Sequence, residues 1–183
     1  EDSIYISENP DTEFEYFIVA DGMGGHNAGE IASQSAVKFF NEYIESRCVI
    51  NECSDVLDAF VDALSYSNRK IFEMAENDPS FKGMGTTFSA AAVCNNKLYG
   101  IHIGDSRIYI CDKNGLRQIT KDHSFVMEMV RMGKISIEEA RVHPKRNMIT
   151  KAVGIEQTMP ADTFIQPLSE DSIILLCSDG LPT

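Results

Sequence analysis

Apolar residues recur at helical spacing in two long segments of the chain. In the segments 28–44 and 56–75 they are separated mainly by three or four residues. A stripe of this kind is typical of a helix that packs one face against a core. The sequence therefore predicts two amphipathic helices. Ser54 is expected to cap the second helix, and Asp78-Pro79 to end it.

Short apolar or alternating runs predict β-strands elsewhere in the chain. These runs are 4–6, 14–20, 86–94, 98–103, 107–111, 116–120, 163–166 and 173–177. The first two would form a hairpin around the turn signal Asn9-Pro10-Asp11. The links Asn95-Asn96, Gly104-Asp105 and Asn114-Gly115 are short, which favours an antiparallel meander over 86–120. Two helices followed by many antiparallel strands predict an α+β fold.

The segment from about 123 to 147 has fewer core positions than its surroundings and carries five basic residues. We interpret it as a small flap inserted into the domain. Asp122 is expected to cap a helix that ends near Met132, and Ser136 to begin a shorter helix through Arg141. We find no internal repeat, linker or low-complexity segment, so the sequence predicts a single domain over residues 1–183.

Composition and charge narrow the classes of partner and compartment. The chain is 43% hydrophobic and 24% charged, as expected for one domain with a core, and its net charge is −12. That charge disfavours nucleic acid and anionic membranes as partners. No apolar run reaches the about 20 residues that span a bilayer, and no signal peptide opens the sequence. We therefore expect a cytoplasmic protein whose five cysteines are reduced thiols, with neither a disulfide frame nor a zinc site.

Three predicted strands end in the same local pattern, a small residue or glycine followed by aspartate. The aspartates are Asp21, Asp105 and Asp179. Each of them alone would be interpreted as a turn or capping residue. If the strand ends meet at one edge, three carboxylates without basic partners repel one another, and a divalent cation removes that conflict. Oxygen ligands without a nearby Cys/His set indicate magnesium or manganese and disfavour zinc.

An ordered set of motifs gives the chain a more specific resemblance. The motifs are EDS at 1–3, VADGMGGHNAGEIAS at 19–33, GTT at 85–87, IGDSRIY at 103–109, TKDHS at 120–124, HP at 143–144, TKAVG at 150–154 and CSDGL at 177–181. In this content and order, the chain resembles the bacterial branch of the metal-dependent serine/threonine protein phosphatases, the PPM or type 2C family. The resemblance implies an αββα sandwich of two antiparallel sheets flanked by helix pairs.

The resemblance also implies a site with two Mn²⁺ or Mg²⁺ ions and a possible third. Asp21 would bridge the two ions, while Glu1 and the carbonyl of Gly22 would bind one of them. Asp179 would bind the other. Asp105 and Asp179 would share the third ion.

The same resemblance gives Asp21 and Asp179 the catalytic roles and Asp2 the role of orienting metal-bound waters. The implied reaction is hydrolysis of phosphoserine and phosphothreonine on proteins, the substrates of serine/threonine kinases, by a water that bridges the metals. No substrate-binding residue is assigned.

Two family features are not in this sequence: an arginine before the Glu1-Asp2 pair and a final Asp-Asn motif. We therefore expect a domain that is incomplete at both ends. The alternative function is an inactive pseudophosphatase or a binding and regulatory module that retains the fold.

Overall fold

Two antiparallel sheets and four helices are present in the part of the chain that the computed structural model describes, residues 1–7, 15–47, 50 and 52–181. The strands are β1 (Asp2–Ile6), β2 (Glu15–Met23), β3 (Gly85–Thr86), β4 (Phe88–Cys94), β5 (Lys97–Ile103), β6 (Arg107–Asp112), β7 (Gly115–Gln118), β8 (Asp162–Pro167) and β9 (Ile173–Cys177). The helices are α1 (His26–Arg47), α2 (Val56–Asn77), α3 (Phe125–Arg131) and α4 (Ile137–Arg141).

The larger sheet has the order β1-β2-β4-β5-β8, with β3 paired to β2, and α1 and α2 lie on it. The apolar stripes of the two helices pack against this sheet, as their spacing predicts. Phe40 of α1 lies 5.2 Å from Phe60 of α2 and 5.0 Å from Phe88 of β4, measured between ring centroids. All three rings are fully buried, so they form the centre of the helix–sheet core.

The smaller sheet has the order β7-β6-β9 and packs on the other face of the larger one. Ala91 and Leu98 of the larger sheet meet Ile108 and Ile110 of β6 in a second apolar cluster. The outward side chains of β9 include Ile173, which is 66% exposed. The expected α+β fold with two antiparallel sheets is confirmed.

The predicted meander over 86–120 is wrong at its middle link. β4 pairs with β5 and β6 with β7, but β5 and β6 belong to different sheets. Gly104 has a positive φ of 105°, and a Cβ there would lie 2.6 Å from Cβ of Thr87. This glycine turn lets the chain step from one sheet to the other, which a short turn-forming sequence does not reveal.

Two predicted helix caps are also wrong. Ser54 lies inside a 3₁₀ turn, Cys53–Asp55, and Asp55 is the capping residue of α2. The cap of α3 is Ser124, whose hydroxyl accepts a hydrogen bond from the Met127 N–H, and not Asp122. Ser136 caps α4, and α2 ends before Asp78, both as expected.

Cys53 and Cys94 form a disulfide, which corrects the expectation that all five cysteines are reduced thiols. They are 41 residues apart in sequence, so no local spacing signals the pair. Cys111 and Cys177 are free, and Cys48 lies outside the described residues, as does the predicted turn at 9–11. No helix in the described ranges combines the length and apolarity required to cross a bilayer.

Candidate metal centre

Asp21 lies inside a paired strand, whereas the sequence predicts that it directly follows the strand over 14–20. β2 continues to Met23, and Asp21 is directly opposite Asp2 of β1. Gly24 and Gly25, both with positive φ, then form the turn into α1. The antiparallel register therefore brings two carboxylates to one end of the larger sheet, a pairing that the sequence alone does not reveal.

The backbone of Asp21 is fixed by two threonines. Its N–H donates a hydrogen bond to Oγ1 of Thr87 (2.9 Å). Its carbonyl accepts hydrogen bonds from the Thr87 N–H (2.8 Å) and from Oγ1 of Thr86 (2.9 Å). Both threonines are buried, so these bonds form away from competing water and hold the backbone of Asp21 at a constant position.

Gly22 is required by close packing of two backbones. A Cβ on Gly22 would lie 1.9 Å from the carbonyl oxygen of Gly29, in the first turn of α1. A Cβ on Gly29 would lie 2.9 Å from the carbonyl carbon of Gly22. Any side chain at either position would therefore push α1 away from the end of β2. The sequence signals this contact through its small residues, because the DGMGGHNAG segment places glycine at both positions.

Three hydrogen bonds hold Glu1 and Asp2 near the end of β2 that carries Asp21. The carbonyl of Glu1 accepts hydrogen bonds from Oγ of Ser33 (2.6 Å) and from the Gly22 N–H (3.3 Å). Oγ of Ser178, just after β9, donates to Oδ2 of Asp2 (2.9 Å). The last contact joins the end of the smaller sheet to the edge of the larger one.

The carboxylates at this edge interact strongly. Burial, followed by the charges of Asp2, Asp179 and Asp105, raises the pKa of Asp21 to about 7. Burial, followed by the charge of Asp179, raises the pKa of Asp105 to about 6, against which Arg107 acts weakly. Asp2, Asp21, Asp105 and Asp179 are therefore close enough to repel one another, although they come from four separate parts of the chain.

This donor set fits a hard divalent cation. Its side-chain donors are carboxylate oxygens, and Gly22 adds a backbone carbonyl at the same edge. Within the described ranges, no three Asp, Glu, His or Cys side chains are close enough to complete a metal site on their own. Magnesium needs no such cage, because it retains several waters and binds through one or two carboxylates. Glu1 is exposed and reaches Gly22 through its carbonyl.

Sequence reasoning missed the residues that support the site. Ser33, Ser106 and Ser178 bind the backbone or side chains around the carboxylates, and the first two are fully buried. The sequence does contain a signal for each of them. Ser33 is a small hydroxyl residue at a core position of α1, and Ser106 and Ser178 are directly next to Asp105 and Asp179. Asp122 was placed wrongly, because its carboxylate binds Arg107 (2.7 Å) and does not cap a helix.

A family model described as protein phosphatase 2C matches residues 1–183. Serine/threonine phosphatase Stp of Listeria welshimeri serovar 6b is 38% identical over 181 residues, which cover 99% of this chain and 71% of that protein. Protein phosphatase PhpP of Streptococcus pneumoniae serotype 2 is 38% identical over 165 residues, which cover 90% of this chain and 66% of that protein.

Solved structures agree with these sequence matches. The serine/threonine phosphatase of S. agalactiae is 36% identical, with a TM-score of 0.89, over 98% of this chain and 73% of that chain. The catalytic domain of serine/threonine protein phosphatase PstP, solved in complex with two manganese ions, is 31% identical, with a TM-score of 0.78, over 100% of this chain and 78% of that chain.

Proposed function

Because the chain belongs to the protein phosphatase 2C family, we propose that it hydrolyses phosphoserine and phosphothreonine on proteins with the help of divalent metal ions. The observation that carries this proposal is the cluster of Asp2, Asp21, Asp105 and Asp179, whose mutual repulsion lacks a compensating positive charge of similar strength. Comparison with relatives that are named serine/threonine phosphatases does not favour the alternative, a module that retains the fold without turnover.

The proposed ligands are Glu1, Asp21, the carbonyl of Gly22, Asp105 and Asp179, with Asp2 holding metal-bound water. Two Mn²⁺ or Mg²⁺ ions, with a possible third shared by Asp105 and Asp179, are the proposed cofactors. When bound, such ions lower the pKa of water and neutralise charge on the phosphoryl oxygens. PstP, a relative solved with two manganese ions, supports this choice of metal.

The protein's own residues hold the backbone of Asp21 in place and give the site a negative charge. The backbone of Asp21 is held by Thr86 and Thr87, so the main chain from which its carboxylate projects is already in place when a ligand arrives. Four carboxylates repel a phosphate dianion, and the chain carries a net charge of −12. Cations bound to these carboxylates would offset this repulsion and so favour the approach of a phosphorylated substrate.

The proposed partners are phosphorylated proteins that serine/threonine kinases produce, in the cytoplasm, with no role for nucleic acid or membrane. We also propose that the flap, residues 123–147, contacts the protein part of the substrate. Its two ends are joined, since the Thr150 N–H donates to the His123 carbonyl (2.7 Å) and the Phe125 N–H to the Met148 carbonyl (2.8 Å). The flap is therefore attached to the rest of the domain at one narrow base.

The test is metal-dependent turnover by the full chain. After treatment with a chelator, the protein should regain hydrolysis of p-nitrophenyl phosphate and of a phosphothreonine peptide when Mn²⁺ or Mg²⁺ is added. Asp21→Asn should lower kcat by at least about 100-fold, because it removes a direct ligand and outer-shell losses alone cost about 10- to 100-fold. Asp62→Asn, an exposed aspartate of α2, is the matched control and should leave kcat unchanged.

Two results would count against the proposal. Turnover that persists in chelator and is unaffected by Asp21→Asn would exclude the metal mechanism. Tight Mn²⁺ binding without turnover on either substrate would favour the alternative, a phosphatase-like binding module.

A further inference from the structure

Gly104, the residue before Asp105, is held on both sides of its backbone by one histidine. The backbone N–H of His123 donates a hydrogen bond to the carbonyl of Gly104 (2.7 Å). The Gly104 N–H donates in return to Nδ1 of His123 (3.1 Å). These two hydrogen bonds restrain the peptide units on both sides of Gly104, the second of which leads into Asp105.

The imidazole of His123 is itself fixed from several directions. It is 5% exposed and lies against the ring of His102, with 5.0 Å between centroids and 25° between planes. Its Nε2 lies 3.2 Å from Oδ2 of Asp162, and the other oxygen of that carboxylate, Oδ1, lies 3.6 Å from Nζ of Lys151. Because Nδ1 accepts from Gly104, a neutral ring carries its proton on Nε2 and donates it to Asp162.

The other side of the turn is tied to Asp21. Oγ of Ser106 lies 2.7 Å from Oγ1 of Thr87, the atom that accepts the hydrogen bond from the Asp21 N–H. A Cβ on Gly104 would lie 2.6 Å from Cβ of Thr87, so the turn packs closely against that threonine. Asp105 therefore lies between two anchors, the buried Thr87–Ser106 pair and His123.

We propose that His123 is a positioning residue that directs Asp105 towards Asp21 and Asp179 by holding Gly104 through both of its backbone groups. The inference rests on the proposed function, since it assumes that Asp105 is a metal ligand. It assigns His123 no contact with metal or substrate. Its effect should appear as a change in metal affinity, because outer-shell partners typically change that affinity by about 10- to 100-fold.

Two substitutions of His123 separate its two side-chain contacts. In His123→Asn, the amide oxygen lies near the position of Nδ1 and can still accept from the Gly104 N–H. In His123→Gln, the longer side chain reaches towards Asp162 but leaves the Gly104 N–H without its acceptor. Both variants keep the backbone bond from residue 123 to the Gly104 carbonyl. They are therefore matched in chemistry and differ in the bond under test.

The experiment is calorimetric titration of the full chain with Mn²⁺, after circular dichroism has shown that each variant is folded. His123→Gln should weaken Mn²⁺ binding at the site that Asp105 is proposed to share with Asp179 by about 10-fold or more, whereas His123→Asn should stay within about 3-fold of the wild type. In an Asp105→Asn background, the effect of His123→Gln should disappear, because the ligand that it positions is gone. A purely structural role would not show this cancellation.

Equal Mn²⁺ affinity in wild type, His123→Gln and His123→Asn would overturn the inference, and so would a loss that persists in the Asp105→Asn background. If His123→Gln does not fold, His123→Ala serves instead, because it also removes the acceptor of the Gly104 N–H while keeping the backbone bond to the Gly104 carbonyl. That variant should weaken Mn²⁺ binding by about 10-fold or more, and unchanged affinity would overturn the inference. A wild-type chain that binds no Mn²⁺ would instead overturn the proposed function.

Discussion

The ionised carboxylate of Asp21 destabilises the folded, metal-free protein because it is partly buried near other carboxylates, and the same surroundings favour a bound cation. Its pKa is raised to about 7, first by burial and then by neighbouring carboxylates. The folded state therefore holds a proton that the unfolded chain, with a pKa near 4, releases. The contribution of this group to stability is complete below about pH 4, is lost as the pH rises towards 7, and stays lost above that.

We predict that Asp21→Asn stabilises the metal-free protein at pH 8 while it abolishes metal-dependent turnover. The full shift of about 3 pH units corresponds to about 4 kcal/mol, but the carboxyl is only half buried, so screening reduces the expected gain to about 1–2 kcal/mol. Urea denaturation in the presence of a chelator measures it. Asp62→Asn should give no gain, and a lower stability of Asp21→Asn would contradict the placement of the carboxylates.

His102 should give the opposite dependence on pH, because it is buried as a neutral ring. Burial, followed by the charge of His123, lowers its pKa to about 4. Below about pH 6.5 the unfolded chain binds a proton on this histidine that the folded protein does not. The contribution of His102 to stability is therefore present above pH 6.5 and is lost as the pH falls towards 4.

We predict that His102→Gln flattens the acid side of the stability profile. The shift of about 2.5 pH units corresponds to about 3 kcal/mol between pH 6.5 and pH 4. The glutamine can retain part of the bonding of Nδ1 to Oγ of Ser89 (2.9 Å) and of Nε2 to the Lys121 carbonyl (3.2 Å). Urea denaturation at pH 7, 5.5 and 4.5 measures the difference, and parallel profiles for the two proteins would contradict the prediction.

The aspartates of the candidate site could be identified from sequence, but their surroundings could not. Asp105 and Asp179 each follow an apolar strand, so their positions at the ends of strands could be predicted from the sequence. Asp2 opposite Asp21 depends on strand register, which a short strand near a chain end does not specify. Asp122 was misassigned because a polar residue before a helix is locally typical of a cap, whereas its partner Arg107 lies 15 residues earlier.

At the scale of elements, one ion pair joins the smaller sheet to the segment that leads into the flap. Nε and Nη2 of Arg107, at the start of β6, donate to both carboxylate oxygens of Asp122, with the shortest contact at 2.7 Å. Nε2 of Gln118 in β7 also donates to Asp122 (2.8 Å). The carboxylate is almost completely buried, so its removal leaves a guanidinium with too few acceptors.

We predict that Asp122→Asn lowers the free energy of unfolding by about 2–4 kcal/mol, somewhat below the range for a fully buried pair because Arg107 is partly exposed. Thermal or urea denaturation measures the loss. The exposed pair Lys38–Glu42 provides the control, and Lys38→Ala should change stability by at most about 0.5 kcal/mol. Equal effects of the two substitutions would show that the Arg107–Asp122 pair is not an important link.

The helices and most strands were predictable because their patterns are long and periodic. What failed was the assignment of strands to sheets. The links Asn95-Asn96 and Gly104-Asp105 are both short and turn-forming, yet the first makes a hairpin and the second crosses between sheets. The difference lies in packing of Gly104 against Thr87, 17 positions earlier in the sequence, and local propensity carries no information about it.

At the scale of the whole molecule, the residues of the candidate site come together because two sheets pack against each other. Asp21 belongs to the larger sheet, Asp105 lies on the connection between the sheets, and Asp179 follows the last strand of the smaller one. The hydrogen bond from Ser178 to Asp2 closes this arrangement from the smaller sheet to the larger. Periodicity cannot bring these residues together, so the sequence signals for a common site are the aspartates that follow three predicted strands and the ordered motifs.

A second long-range link, the disulfide between Cys53 and Cys94, ties the helix layer to the larger sheet. Cys53 lies in the turn before α2, and Cys94 is the last residue of β4. Closing a loop of 41 residues should stabilise the fold by about 4 kcal/mol through the entropy of the unfolded chain. We therefore predict that dithiothreitol lowers the urea midpoint of the wild type.

The double variant Cys53→Ser, Cys94→Ser should have the lower urea midpoint with or without dithiothreitol, because serine cannot form this link. Titration of thiols in urea gives an independent count, which should rise by two when the wild type is reduced. The same count before and after reduction would mean that Cys53 and Cys94 are thiols in solution. In that case the helix layer would be held to the sheet by the aromatic core around Phe40, Phe60 and Phe88 without a covalent link.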